Sequence, residues 1–285
     1  MAGDPACFAM TYSECVRILS TVCTDRSEAE AEARVLLCRL FCLSGAQLAA
    51  CSRERDFCSP ALDEALAGRL DRVPLAYILG EQPFWKFVFS VSENCLIPRQ
   101  ETEILVEEAV RVLPAGRFLD LCTGSGCIAI SILRERADLT GAAVDLSDKA
   151  LELCRLNAER LNVADRLDIR QGNALTAEGI RESDPFDGLV CNPPYIETDT
   201  IPTLSAEVLR EPRAALDGGP DGLAFYRAIL ETTPAYIKDS APLLFEIGWN
   251  QGDAIAALAT GHGYACRIIR DLEGHDRVAH LSRNI

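Results

Sequence analysis

Basic residues are in short supply in this 285-residue chain: 28 Lys and Arg stand against 43 Asp and Glu, for a net charge of −15. That balance argues against a protein that lives by gripping nucleic-acid phosphates, although a local basic patch escapes a global count. Long apolar runs are missing too. No stretch approaches the roughly eighteen unbroken apolar residues of a membrane span. The start, Met1-Ala-Gly-Asp-Pro-Ala6, has neither the basic opening of a secretory signal nor the Arg-rich amphipathy of a transit peptide. We therefore expect a cytoplasmic monomer with no membrane partner and no direct nucleic-acid partner. Histidine is scarce, with only His262, His275 and His280, all late in the chain and without a visible catalytic partner. The thirteen cysteines contain no Cys-x-x-Cys. Cys38 with Cys42, and Cys122 with Cys127, come nearest to metal half-sites, and neither has a second half. No metal is expected, and the thiols read as reduced and mostly buried.

What is present is a globular composition, 48% hydrophobic, which excludes intrinsic disorder and suits two modest domains or one large one. Residues 11–72 carry apolar positions at helical spacing: Tyr12, Val16 and Leu19, then Ala33, Leu36, Leu37, Leu40 and Phe41. Ser27 with Glu30 fits a capping box, and Ser59-Pro60 fits an N-cap followed by proline in the first turn. Residues 1–75 therefore read as a small all-helical domain. The aromatic and β-branched segment 83–98, with Ser92-Glu93-Asn94 as its turn signal, reads as a hairpin in a linker over 76–98. A helix starts at Gln100 or Thr102 and runs to about Val112. From Phe118 onward seven candidate strands (117–121, 141–145, 167–170, 187–191, 242–247, 264–270, 277–282) alternate with helices over 126–137, 147–161, 222–238 and 250–261. Over 99–285 this predicts an α/β fold with a doubly wound, mostly parallel sheet. There is no internal repeat and no low-complexity tract.

Two strand ends carry the chemistry. The first runs into Cys122-Thr123-Gly124-Ser125-Gly126, where glycines permit close backbone approach to a ligand and the next helix offers unpaired N–H groups. Asp145, at the tip of the second strand, stands nineteen residues beyond Gly126, where a carboxylate accepts hydrogen bonds from ribose hydroxyls. Gly124-x-Gly126-x-x-Ala129 also satisfies a dinucleotide fingerprint. The loop by itself is thus compatible with either a dinucleotide or S-adenosylmethionine, and with a plain tight turn. Asp120, just before the loop, favours a ligand with a free amino group over a pyrophosphate.

The fourth strand ends in Asn192-Pro193-Pro194-Tyr195, at the edge of the sheet that lines the ligand crevice. The prolines fix φ and stiffen the carbonyls. The Asn192 side-chain oxygen and the Pro193 carbonyl then suit the two hydrogens of one planar –NH₂ group, with Tyr195 supplying a flat face. An amide or exocyclic amine is a poor nucleophile, and two acceptors orient its lone pair for in-line displacement. The bland alternative is a Pro-Pro loop that merely stops a strand.

Together with Leu96-Ile-Pro-Arg99-Gln-Glu-Thr-Glu103, Glu211-Pro-Arg-Ala-Ala-Leu-Asp-Gly-Gly-Pro-Asp-Gly222 and Phe245-Glu-Ile-Gly248, these motifs resemble the HemK/PrmC-type protein-glutamine methyltransferases over nearly the whole chain. The resemblance implies a Rossmann-like methyltransferase domain and S-adenosylmethionine as cofactor. It also implies the glutamine of the Gly-Gly-Gln motif in a peptide chain release factor as substrate, gripped by the helical domain and hairpin. By the same resemblance Cys122, Thr123, Gly124, Ser125, Gly126, Asp145, Asn173 and Asn192 hold the cofactor. Asn192, Pro193, Pro194 and Tyr195 bind the glutamine amide, with Asn192, Pro193 and Tyr195 in the catalytic role. Gln100 stands where many members have proline. Arg99 either supports the cofactor pocket or pairs with Glu101 or Glu103. A glutamine of a large-subunit ribosomal protein, a nucleic-acid adenine and an adenosine-binding module without catalysis are the competing readings; the last two lie outside the charge balance or the tetrapeptide chemistry.

Overall fold

The computed structural model describes residues 8–52, 55–180 and 185–283; the N-terminal hexapeptide discussed above lies outside them. The chain divides into two compact units, one of residues up to Gly80 together with Ala206–Arg210, the other of Glu81–Ser205 and Glu211–Ile285.

The first unit contains α1 (Tyr12–Leu19), α2 (Arg26–Leu40), α3 (Gly45–Cys51), α4 (Pro60–Leu70) and α5 (Leu75–Leu79). Thr11 and Ser44 close reciprocal capping boxes with Glu14 and Gln47, and Ser59 caps α4 ahead of Pro60. The expected Ser27–Glu30 box is displaced by two residues: Asp25 accepts the Glu28 N–H at 2.9 Å and Glu28 takes the Thr24 N–H at 2.6 Å. An ionised Asp is as good an N-cap as Ser, and the helix starts where it can be used. Leu19, Ala33, Leu36, Leu37, Phe57 and Leu62 form the core of this unit. Beside it Arg69, 2% exposed, pairs with Glu32 at 2.8 Å and donates to the Val73 carbonyl at 2.8 Å. Glu207 in the inserted segment reaches Arg69 at 3.5 Å and Arg72 at 3.2 Å.

The second unit opens with a hairpin, β1 (Glu81–Phe84) and β2 (Phe87–Ser90), followed by α6 (Glu103–Val112) after a 3₁₀ turn at Gln100–Thr102. The chain reverses at Trp85-Lys86 and not at Ser92–Asn94. Trp85 takes a left-handed φ of 55°, held there because Glu103 accepts its backbone N–H at 2.7 Å and Glu135 its indole N–H at 3.0 Å. A tertiary pair of carboxylates thus selects a turn that local composition does not announce. The Ser92 segment does turn, with Cys95 N–H on the Ser92 carbonyl, but after the hairpin is complete.

Then follow β3 (Gly116–Leu121), α7 (Cys127–Glu135), β4 (Leu139–Asp145), α8 (Asp148–Arg160), β5 (Leu167–Gln171), β6 (Gly188–Cys191), α9 (Ala224–Thr232), β7 (Leu243–Glu246), α10 (Gly252–Gly261), β8 (Ala265–Arg270) and β9 (Asp276–Ser282). All seven expected strands form, in the order β5-β4-β3-β6-β7-β9-β8, parallel except where β9 pairs. Strand side chains alternate between two cores. Leu119, Leu121, Leu189 and Phe245 pack with Tyr226 of α9 and Ile255 of α10. Phe118, Ala143, Val190 and Leu244 pack with α6, α7, α8 and the hairpin residues Phe84 and Phe89. This is the expected doubly wound sheet, covered on both faces.

Among the described residues no single helix is long and apolar enough to cross a membrane. Cys15, Cys95, Cys127, Cys154 and Cys191 are buried free thiols, whereas Cys58 is disulfide-bonded, a departure from the expectation of reduced thiols.

Candidate functional site

The strand order reverses between β3 and β6, so their carboxyl ends open a crevice. Leu121 lies opposite Cys191 in the parallel register, which sets the Cys122–Gly126 loop and the Asn192–Tyr195 tetrapeptide side by side. Two motifs separated by about seventy residues of chain therefore share one edge.

Within the loop, Cys122 (φ 58°), Gly124 (φ 55°) and Gly126 (φ 82°) all adopt left-handed conformations. Gly126 is the residue that must lack a side chain for packing, because a Cβ would stand 2.6 Å from Cys154 Sγ and 2.9 Å from Ile130 Cδ1. Gly124 has the opposite environment, with nothing within 4 Å of a Cβ. Its N–H donates to Asp145 Oδ2 at 2.9 Å, and Ser147 N–H donates to Oδ1 at 2.9 Å. Loop and ribose-type acid are thus locked together, and burial pushes the Asp145 carboxyl above its ordinary value despite these donors. Asp120 is fully buried. Its Oδ2 accepts from Thr123 Oγ1 at 2.6 Å and from Ala129 N–H at 3.2 Å, and its Oδ1 has no hydrogen-bond partner. Burial drives this carboxyl up to about 7, against the pull of both donors. Ser125 is also buried, with an unpartnered hydroxyl, while its carbonyl accepts from Asn157 at 2.9 Å. Open space at Gly124, with two carboxylates behind the loop, fits an uncharged ribose and a cationic amino-acid moiety.

Asn173 follows β5, where its side-chain oxygen accepts the Leu175 N–H at 2.9 Å in a local turn. It therefore sits at the same edge of the sheet with its oxygen already engaged.

Pro193 and Pro194 are buried, and Asn192 and Tyr195 are half-buried. Asn192 Nδ2 donates to Thr102 Oγ1 at 3.3 Å, and Tyr195 Oη donates to Glu246 Oε1 at 3.3 Å. The Tyr195 carbonyl accepts from Gln251 Nε2 at 3.1 Å, while Gln251 Oε1 takes the Gly248 N–H at 2.9 Å. The Gly/Pro cluster backs the tetrapeptide: a Cβ on Gly218 would meet Tyr195 Cα at 2.7 Å and one on Gly222 the Tyr195 carbonyl oxygen at 2.4 Å. Arg99 does not make the expected pair with Glu101 or Glu103. It pairs with buried Glu211, whose other oxygen accepts the Ile97 N–H at 2.9 Å. Glu101 and Glu103 were the nearer partners in sequence, but the chain returns Glu211 to the hairpin exit.

Thr102, Glu246, Gln251 and Glu211 are neighbours of the tetrapeptide and the hairpin exit to which motif reading gave no role. Thr102, Glu211 and Glu246 lie inside the segments 96–103, 211–222 and 245–248 that carry the resemblance, and Glu246 is also a lone acid ending the apolar run Leu243-Leu-Phe. Gln251 left no signal. Among the described residues, Cys23, Glu28 and Glu32 alone bring three metal-type ligands within 4.8 Å. Glu32 there is engaged by Arg69 and Glu28 by the Thr24 N–H, so the trio reads as helix capping and ion pairing.

The family profile described as the methyltransferase small domain matches residues 99–223. The chain is 41% identical over 222 residues to a release factor glutamine methyltransferase of Caulobacter vibrioides, covering 76% of each chain. It is 43% identical over 218 residues to a protein of the same description from Cereibacter sphaeroides, covering 76% of this chain and 77% of that one. A methyltransferase from Pyrococcus furiosus superposes with a TM-score of 0.53 at 17% identity, over 69% of this chain and 89% of that one, a likeness of fold alone.

Proposed function

This chain belongs to the family of release factor glutamine methyltransferases, and from that premise we propose that Asn192, Pro193 and Tyr195 present the amide of a release-factor glutamine for methylation by S-adenosylmethionine. The observation that carries the reading is the register of β3 against β6, which brings the glycine loop and the tetrapeptide to one crevice.

Bound S-adenosylmethionine supplies an electrophilic methyl group on a sulfonium centre. Gly124, through its missing Cβ, would leave room for the ligand; Asp145 would hold the ribose hydroxyls; Asp120, buried behind the loop with one oxygen unpartnered, would serve the amino-acid end. Cys122, Thr123, Ser125 and Gly126 shape the loop, and Asn173 is assigned to the adenine end. Asn192 Oδ1 and the Pro193 carbonyl accept the two amide hydrogens of the substrate. This draws electron density to its nitrogen and aims the lone pair at the methyl carbon. Pro194 holds that geometry, and Tyr195 covers the planar amide. No strong base is required, since the methylated nitrogen sheds its extra proton readily. The glutamine is that of the Gly-Gly-Gln motif, and the helical unit and hairpin are assigned to gripping the factor around it.

The test is transfer of label from the cofactor to purified release factor. Asn192→Ala is expected to abolish transfer while cofactor affinity by calorimetry stays near wild type. Asp145→Ala is expected to weaken cofactor binding by about tenfold or more, the loss of a charge-assisted hydrogen bond. Label entering a ribosomal protein or DNA in place of the factor would reassign the substrate.

A further inference from the structure

The exit of strand β7 reads Glu246-Ile-Gly-Trp-Asn-Gln251, and its last residue has no place in the amide chemistry described so far. Gln251 is 8% exposed. Its Oε1 accepts the Gly248 N–H at 2.9 Å, while Nε2 donates to the Tyr195 carbonyl at 3.1 Å and to the Gly222 carbonyl at 3.3 Å. These partners leave the amide one orientation, since a backbone N–H can only donate and a carbonyl can only accept. Space around it is tight. A Cβ on Gly222 would stand 2.7 Å from Nε2, and one on Gly248 would stand 3.0 Å from Oε1. One buried side chain thus joins three segments: the tetrapeptide, the Gly/Pro cluster and the turn that leaves β7.

The tetrapeptide behaves as a short rod. Pro193 and Pro194 have a locked φ and no N–H, and a proline also confines the residue before it to extended backbone. Few soft torsions lie between the end of β6 and Tyr195, so the two ends decide where the Pro193 carbonyl points. The upstream end is fixed in the sheet, with Cys191 in register with Leu121 on one side and Phe245 on the other. Downstream, the Ile196 N–H donates to the Leu216 carbonyl at 3.0 Å and the Gly218 N–H to the Ile196 carbonyl at 2.8 Å. Those two bonds tie the tetrapeptide to the Gly/Pro cluster. Gln251 holds both parts at once, and it holds them to the exit of β7. The Tyr195 hydroxyl adds a longer bond, 3.3 Å, to Glu246 of that strand.

We propose that Gln251 is a positioning residue for methyl transfer: by donating to the Tyr195 and Gly222 carbonyls it fixes the downstream end of the tetrapeptide, and with it the aim of the Pro193 carbonyl and Asn192 at the substrate amide. The inference rests on the amide-presenting role proposed for those residues and puts control of their geometry outside the tetrapeptide. Gln251 acts through Tyr195. A small displacement of either acceptor turns the amide lone pair off the methyl carbon, which costs rate more than binding. None of the three partners of Gln251 belongs to the Cys122–Gly126 loop, so its effect falls on the substrate side of the crevice.

The test is Gln251→Glu, which keeps the shape of the side chain. Ionised, the new carboxylate still accepts the Gly248 N–H but donates to neither carbonyl; protonated, it returns a single donor for the two. With release factor as substrate, kcat should fall by about tenfold or more. The KM for release factor and the cofactor affinity by calorimetry should stay within about twofold of wild type. Gln251→Asn, shorter and uncharged, should lose kcat in the same way because its amide falls short of Tyr195. A Gln251→Glu enzyme as fast as wild type would overturn the proposal, as would a loss confined to KM or to cofactor affinity. Should Gln251→Glu fail to fold by circular dichroism, Gln251→Asn decides alone, and a wild-type kcat in that variant overturns the proposal. A wild-type enzyme that transfers nothing to release factor would overturn the amide-presenting reading, and this proposal with it.

Discussion

Asp120 shows how a single side chain ties cofactor chemistry to stability. It is fully buried with one oxygen unpartnered, and its pKa rises from 3.8 to about 7. A raised pKa means that the folded chain holds the proton more tightly than the unfolded one. The associated stability is complete below the ordinary carboxylate range and is lost as pH rises through about 7. Asp120→Asn removes that titration, so its melting temperature relative to wild type should be more favourable at pH 8 than at pH 5, in melts without cofactor. An offset independent of pH would show that the carboxyl is not held near neutrality. Asp120 and Asp145 were both legible in the sequence, because each stands at the carboxyl end of an apolar strand, Asp145 at the spacing that ribose chemistry dictates and Asp120 just before the glycine loop. The contacts that Thr102, Glu246 and Gln251 make were not. Each meets the tetrapeptide only because separate strands and turns converge, and a hydrogen bond between distant residues leaves no local pattern.

At the scale of an element, the two loop glycines look alike in sequence and differ in what they face. At Gly126 a methyl group collides with Cys154 and Ile130 at a φ of 82°, so Gly126→Ala should destabilise the protein by about 1–3 kcal/mol. At Gly124 nothing stands within 4 Å. Gly124→Ala should therefore cost only the left-handed backbone, about 1–2 kcal/mol, while cofactor affinity falls by more than the stability loss accounts for. Melting and calorimetry on the two variants separate a packing glycine from a ligand-facing one; equal cofactor losses per unit of destabilisation would contradict the assignment. The hairpin marks the limit of local reading. Its strands were expected from their aromatic and β-branched content, but Glu103 and Glu135 chose the turn at Trp85.

Across the whole molecule, the net charge of −15 becomes informative once the family is known. The same tetrapeptide chemistry would serve an exocyclic amine of a base, and an excess of fifteen negative charges argues against the phosphate grip that such a substrate asks for. An acidic enzyme also suits a substrate with a basic surface. Raising the salt from 50 to about 300 mM shortens electrostatic reach, so the KM for release factor should rise several-fold while cofactor affinity stays nearly constant. A KM insensitive to salt would remove charge from the recognition.

The sequence by itself determined the doubly wound α/β architecture and the two chemical segments, because hydrophobic periodicity, glycine loops and strand-end acids are local properties read within a few residues. Only the tertiary structure decided what holds those segments in working order. The β3–β6 register sets loop beside tetrapeptide, Gln251 grips the Tyr195 carbonyl, and Glu211 returns to Arg99. These are contacts between groups far apart along the chain, and their partners are chosen by which strand ends and turns the packed sheet brings to one edge.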